Sequence, residues 1–280
     1  MINFITIGST FLVVDGRMQL MLNIQDPTEA RKIIRNNQYE KTAGTANQYV
    51  QGNVCILPSK YSKNFETFCQ KNPKPCPLIG LGYKGDPKLR NLGDIDIRTD
   101  VPKYRVWKKG KVVDEPQDIK NYWNEDLVTF ILGCSMSFEL PLIEAGIEIQ
   151  HIKNNTTVPM YRTSINCEPA GQFRGKMVVS MRPLSTKDTI KSIQICSKFP
   201  SVHGAPIHFG NPDEIGVKNI MKPEYGDPPR SFKNNEIPVF WACGVTPQLI
   251  LEKSKPDFCI THKPGCMLIT DKLNSDLASC

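Results

Sequence analysis

Apolar residues fall at helical spacing in some stretches of the chain and alternate in others. From Asp26, DPTEARKIIRNN sets Ala30, Ile33 and Ile34 on one face of a helix. Its polar residues mark the start, with Asp26 as N-cap, Pro27 at the first helical position and Glu29 closing a capping box. SKYSKNFETFCQKN repeats the helical spacing through Tyr61, Phe65, Phe68 and Cys69, and the prolines of NPKPCP end it. YRVWKKGKVVDEP alternates around Gly110 and predicts a β-hairpin. GKMVVSMRP predicts a strand, followed by a helix capped by Ser185 with Asp188 as its partner. No low-complexity linker separates these elements, so a second lobe would be woven into the first.

Two stretches echo one another. FILGCSMSFELPLIEAGIEIQHI, from Phe130, and FWACGVTPQLILEKSKPDFCITHK, from Phe240, share an order. Each has an apolar strand ending in Gly and Cys, a Ser or Thr, a short helix, and a second strand ending in His, at His151 and His262. That order is the β-α-β unit, and it predicts an α/β fold with a largely parallel sheet whose turns lie at one carboxyl edge. Free N–H groups at the two helix starts, beside Ser135, Ser137 and Thr246, would suit a carboxylate or an oxyanion. Ser and Thr are also the preferred helix caps, and that reading stays open beside the functional one.

Arg162 and Arg182 stand in VPMYRTSI and MVVSMRP, segments otherwise apolar enough to be core. A guanidinium stays charged when buried and needs a carboxylate, from the protein or from a ligand. The pair therefore points either to internal ion pairs or to a dicarboxylate or amino-acid ligand. FPSVHGAPIHFGN, from Phe199, holds His203 and His208, two of the four histidines, in a segment whose prolines and glycines exclude a regular helix.

Composition narrows the class. The 280 residues, 40% hydrophobic, can bury a large core without disulfide staples. The ten cysteines form no CxxC pair, and several lie in apolar runs, which fits buried free thiols in a reducing compartment. The formal charge is +7, but the basic residues are scattered. Lys108 to Lys111 reads as a solvated turn rather than a nucleic-acid patch, since no aromatics interleave with it. The N-terminus lacks a basic n-region and a small-residue cleavage site, and it is too short and too polar to span a membrane. These features predict an intracellular protein of the cytoplasm or mitochondrial matrix, with no nucleic-acid or membrane partner, that handles a small acidic metabolite.

YVQGN, FCQKNPKPCPL, GDIDIRTDVPKYRVW, LVTFILGCSMSFE, PMYRTSINCEPAG, FPSVHGAPIHFG, PVFWACGVTPQ and ITHKPG occur in that order. Together they resemble the bacterial putative hydro-lyases, whose module also forms part of animal D-glutamate cyclases. The resemblance runs from about Asp26 to Asp271, leaving residues 1–25 as a divergent leader and 26–280 as one catalytic domain. It implies two interleaved α/β lobes and dehydrating cyclisation of D-glutamate to 5-oxo-D-proline, with no cofactor. Cys266 stands where the family pattern has a histidine, and Ala46-Asn47-Gln48-Tyr49 departs from it as well.

Cyclising glutamate needs a base for the α-ammonium, an oxyanion site for the γ-carboxyl and an acid for the departing hydroxide. The candidates are His203 as base with His262 as competitor, the Ser135/Ser137 turn as oxyanion site, and Tyr161 or Glu139 as acid. Arg162 and Arg182 would hold carboxylates, with Cys243, Thr246 and His208 lining the substrate. His151 is read as structural. Two other readings stay open: a metal held by His203, His208, His262 and Cys243, for which no local ligand spacing speaks, and a module that binds an acidic metabolite without turning it over.

Overall fold

The computed structural model describes residues 11–14, 17–20, 24–38, 41–42 and 44–279. Most of the expected leader, residues 1–25, lies outside them. Strands β1 (Phe11–Val14) and β2 (Arg17–Leu20) pair antiparallel. Helix α1 (Pro27–Arg35) starts as expected, Asp26 Oδ1 accepting from the Glu29 amide at 2.8 Å. Among the described residues no helix is long and apolar enough to cross a membrane.

Two sheets organise the rest. The larger runs β4 (Leu78–Leu81), β7 (Leu127–Leu132), β3 (Tyr49–Pro58), β12 (Cys259–His262), β5 (Tyr104–Lys108) and β6 (Lys111–Asp114), with β13 (Leu268–Leu273) also on β3. The smaller runs β10 (His208–Phe209), β11 (Glu236–Ala242), β9 (Lys176–Ser185) and β8 (Met160–Asn166). The β5–β6 hairpin turns at Lys109 and Gly110, both at positive φ as a tight primed turn requires.

All strand pairings described in these sheets are antiparallel, which corrects the expected parallel β-α-β sheet. Both echoed segments do run strand, turn, helix, but neither helix returns the chain to a parallel neighbour. After β7, α3 (Met136–Glu144) leads to the short helix α4 (Gln150–Lys153), which carries His151, and then to β8 in the smaller sheet. After β11, α6 (Val245–Ser254) leads to β12 in the larger one. A strand buried on both faces reads as a continuous apolar run in either orientation, so the pattern leaves open which sheet receives it.

Alternation along β3 and β11 builds the core. Val54 and Ile56 face one apolar layer with Tyr104 and Ile260. Cys55 and Leu57 face another, roofed by Phe65 and Phe68 of α2 (Ser59–Lys71) and by Ile250 and Leu251 of α6. Val239 and Trp241 pack with Phe138 and Leu142 of α3, whereas Phe240 turns to Tyr161 and Met181. The helices of the two echoed segments thus pack at the junction of the sheets, and both helix starts open there. Helix α5 (Thr186–Cys196) begins at Ser185, whose Oγ accepts from the Asp188 amide at 3.1 Å.

Candidate active site

Strand β3 changes partner along one edge, with β12 opposite Cys55 and Ile56 and β13 opposite Gln51 and Gly52. At the change the Val54 amide donates to Nδ1 of the buried His262 at 3.1 Å. The Val54 amide can only donate, so the neutral ring carries its proton on Nε2, which faces the Gln248 side-chain amide on α6 and can bond only that amide's oxygen. Burial lowers the ring's pKa to about 4, so His262 is a neutral hydrogen-bond donor at pH 7.

Asn53, next to it, ties the echoed turns together. Its Nδ2 donates to the Gly133 carbonyl at 3.0 Å. A Cβ on Gly244 would stand 2.5 Å from the same nitrogen, so glycine there admits the amide. The turns around Cys134 and Cys243 are therefore separated by about one side chain. Neither α3, begun at Ser135, nor α6, begun at Gly244, has a side-chain cap bond, and Ser137 Oγ in the first turn of α3 is buried without a partner.

Behind the α3 turn lies a buried charge cluster. Arg182 on β9 pairs with Glu139 Oε1 and donates to Ser135 Oγ at 3.2 Å and Ser180 Oγ at 3.1 Å. Its guanidinium carbon lies 5.1 Å from the Trp241 ring centre and 5.6 Å from that of Phe138. His151 Nε2 reaches Glu139 Oε1 at 3.2 Å. Burial alone would raise the Glu139 pKa, but Arg182 and His151 outweigh it and hold the carboxyl at about 2. Glu139 is thus ionised and has no proton to give, and Arg182 spends its charge on protein and positions Ser135.

His203 adopts the left-handed conformation at φ +76, after a short 3₁₀ turn whose Val202 packs against Gly133. Its Nδ1 lies 2.6 Å from the Lys74 carbonyl, which can only accept, so the neutral ring carries its proton on Nδ1. Nε2 is left as a bare lone pair, buried and without a partner. Burial, with Arg182 adding to it, lowers the pKa to about 4. The two histidines hold opposite tautomers, His203 presenting an acceptor and His262 a donor.

The remaining candidates sit elsewhere. Tyr161 is buried and donates to the Ile220 carbonyl at 2.5 Å, and burial raises its pKa. Thr246 Oγ1 accepts from the Val178 amide at 3.0 Å and so ties α6 to β9. His208 Nε2 meets the Asn211 carbonyl at 2.7 Å on the sheet edge. Arg162 is exposed and donates to the Tyr225 hydroxyl at 2.7 Å. It shares the outer face of β8 with Met160, whose Sδ lies 3.5 Å from Cys243 Sγ. Among the described residues no group of three or more His, Cys, Asp or Glu is arranged to hold a metal, so the four residues proposed for one do not converge.

Fold and site together define an α+β protein of two antiparallel sheets with a polar cluster at their junction. Residues 128–271 match the family described as D-glutamate cyclase. Over 260 residues the chain is 76% identical to a protein of Pelagibacter ubique named "Putative hydro-lyase", covering 92% of this chain and 100% of that one. A protein of the same name in Bradyrhizobium diazoefficiens is 55% identical over 251 residues, covering 89% and 92%. A solved nitrogen repressor-like protein from Methanococcus jannaschii shares 9% identity at a TM-score of 0.37 over 82% of this chain and 90% of that one, too distant to carry an argument. The chain belongs to the bacterial putative hydro-lyase family, related to the D-glutamate cyclases.

Asn53, Cys134 and Gln248 join the cluster without having been singled out from the sequence, and His151 joins it as the partner of Glu139 although it reads as structural. Cys134 and His151 lie within the echo, which was the available signal. Asn53 sits inside an apolar strand, where nothing in the pattern marks it.

Proposed function

We propose that this protein is a D-glutamate cyclase, closing the α-amino nitrogen of D-glutamate onto its γ-carboxyl carbon with loss of water to give 5-oxo-D-proline. The observation that carries the reading is the His203 ring, whose tautomer is set by Lys74 and whose bare Nε2 is buried beside the echoed turns. Family membership supports the reaction class.

In this reading Nε2 of His203 takes a proton from the α-ammonium, leaving a neutral amine as nucleophile. As the nitrogen attacks, negative charge grows on the γ-carboxyl oxygen. The Ser137 hydroxyl, buried without a partner in the first turn of α3, receives it, with the dipole of that helix behind it. The Nε2–H of His262 adds a neutral donor. The proton taken by His203, and the second that the attacking nitrogen sheds as the amide forms, both pass to one γ-carboxyl oxygen, which leaves as water. Arg182 and Glu139 hold Ser135 at the mouth of α3, and Arg162, exposed near Cys243, attracts the acidic substrate.

The test is to incubate purified protein with D-glutamate alone, following 5-oxoproline by proton NMR and ligand binding by calorimetry on the same sample. Product without added nucleotide supports the reading. Binding without product makes the module a sensor, and neither result removes D-glutamate as the ligand.

A further inference from the structure

NPKPCP, after α2, reads in the sequence only as a helix terminator, yet the turn it forms touches both halves of the candidate site. The Lys74 carbonyl takes the Nδ1–H of His203 at 2.6 Å, and the Lys74 ammonium donates to the Ala205 carbonyl at 2.9 Å. Three residues on, the Pro77 carbonyl accepts from the Gly133 amide at 2.8 Å. Val202 in turn packs against Gly133. The turn, the mouth of α3 and the loop that carries His203 therefore touch pairwise and close a triangle.

The turn is the rigid corner of that triangle. Prolines at 73, 75 and 77 fix alternate φ angles, and the Cys76 amide closes the turn onto the Asn72 carbonyl at 3.0 Å. The buried Asn72 spends its side-chain amide on protein. Its Nδ2 donates to the Phe68 and Glu168 carbonyls at 2.8 Å each, and its Oδ1 accepts from the Glu168 amide at 2.8 Å. The loop is the yielding corner. His203 and Gly204 are both left-handed, at φ +76 and +63, and Pro206 has no amide to donate. The Gly204 amide bonds back to Phe199 at 3.0 Å, and the Ile207 amide bonds forward to Phe240 at 2.8 Å. Between those two bonds the Ala205 carbonyl is held by Lys74.

We propose that Lys74 is a positioning residue for His203: its ammonium anchors Ala205 while its carbonyl holds the Nδ1–H, and the two bonds together keep Nε2 bare on the far side of the ring. This rests on the base role proposed above for His203. The side chain of Lys74 is exposed and touches no reacting atom, so it acts only through the loop. A free neutral imidazole distributes its proton over both nitrogens and turns about χ2, and a ring with its proton on Nε2 has no lone pair there to take another. The Lys74 carbonyl selects the tautomer only while the loop keeps the ring within its reach. A loop with a non-glycine residue in the left-handed region relaxes when its anchor goes. Because Lys74 shares its turn with Pro77, the same corner also fixes the separation between the base and the start of α3.

The experiment takes the whole protein with nitrogen-labelled histidine, assigns the His203 ring by its loss in His203→Asn, and follows the ring nitrogens by NMR at neutral pH beside 5-oxoproline formation from D-glutamate. In the unsubstituted protein Nδ1 should give the signal of a protonated nitrogen and Nε2 that of a bare one. Lys74→Met, which keeps the chain length and removes the donor, should draw the two signals together and lower kcat by ~10- to 100-fold with KM within about threefold. Lys74→Arg, which donates again, should restore both. A protonated Nε2 in the unsubstituted protein, ring signals unmoved by Lys74→Met, signals that move while kcat does not, or a loss that Lys74→Arg leaves unrepaired overturns the clamp. If the unsubstituted protein forms no 5-oxoproline, the cyclase reading fails by itself and the ring signals alone decide whether Lys74 positions His203. Should Lys74→Met fail to fold, Lys74→Gln, whose amide stops one bond short of the ammonium, takes its place with the same outcomes.

Discussion

His203 donates its Nδ1–H to the Lys74 carbonyl at 2.6 Å, and this one contact dictates that Nε2 is the nitrogen left bare. Replacing the ring by Asn, which tolerates the left-handed backbone at φ +76, removes the base while sparing the loop. His203→Asn should lower kcat for 5-oxoproline formation by ~100- to 10,000-fold with a smaller change in KM. Steady-state kinetics with a parallel melting curve check this, and a kcat within about threefold of the unsubstituted protein returns His203 to packing.

Stability should fall as the solution is acidified from neutrality. His203 and His262 titrate at about 4 when folded and near 6.5 when unfolded. Above pH 6.5 both rings are neutral in both states and stability is full. Between 6.5 and about 4 the unfolded chain binds protons that the folded chain refuses, a loss of about 1.4 kcal/mol per pH unit for each ring. Glu139, held at about 2 against 4.5 unfolded, extends the loss below pH 4.5. Urea unfolding at pH 7.5, 6.0 and 5.0 measures the slope, which should be halved when either histidine becomes Asn.

Removing one partner of the Arg182–Glu139 pair should cost far more than removing both. Glu139→Ala leaves a guanidinium uncompensated between Trp241 and Phe138, at a cost of about 3–5 kcal/mol. Arg182→Met with Glu139→Leu, which keeps the volume without the charges, should recover most of that stability. It should not recover activity, because Ser135 then has no guanidinium to hold it. Denaturant midpoints and turnover on the two variants separate the effects.

Gly133 leaves no room for a side chain, since a Cβ would overlap Val202 Cγ1 and stand 3.1 Å from the Ser201 carbonyl. Gly133→Ala should push the loop that carries His203, costing about 1–3 kcal/mol and lowering kcat. Adding Val202→Ala makes space and should restore part of both. A double-mutant cycle in melting temperature and rate reads the coupling, and simple additivity would show that the glycine does not position the histidine.

Local signals carried much of the fold. The Asp26 and Ser185 caps, the hairpin at Gly110 and the strand that bears Arg182 are where periodicity and turn chemistry put them, because each depends on neighbours within a few residues. Sheet assignment was not legible. Whether α6 delivers the chain to a parallel neighbour or to another sheet depends on contacts such as Thr261 against Cys55, some two hundred residues apart. In the site the echo did mark the two turns that converge. The tautomers of His203 and His262 were beyond reach, since Lys74 and Val54 are distant in sequence and contribute through backbone atoms that any residue would supply.

The divided edge of β3 also governs when the protein can finish folding. Its outer neighbours, β12 and β13, are among the last strands made, so Ile56 waits about 200 residues for Ile260. At a synthesis rate of about 5–20 residues per second that is roughly 10–40 s during which a long apolar strand has one side unpaired. Such distant pairing makes for slow folding and for an aggregation-prone nascent chain. Until β12 arrives, His262 cannot take the Val54 amide, and the polar cluster closes only with the last strands of the sheet.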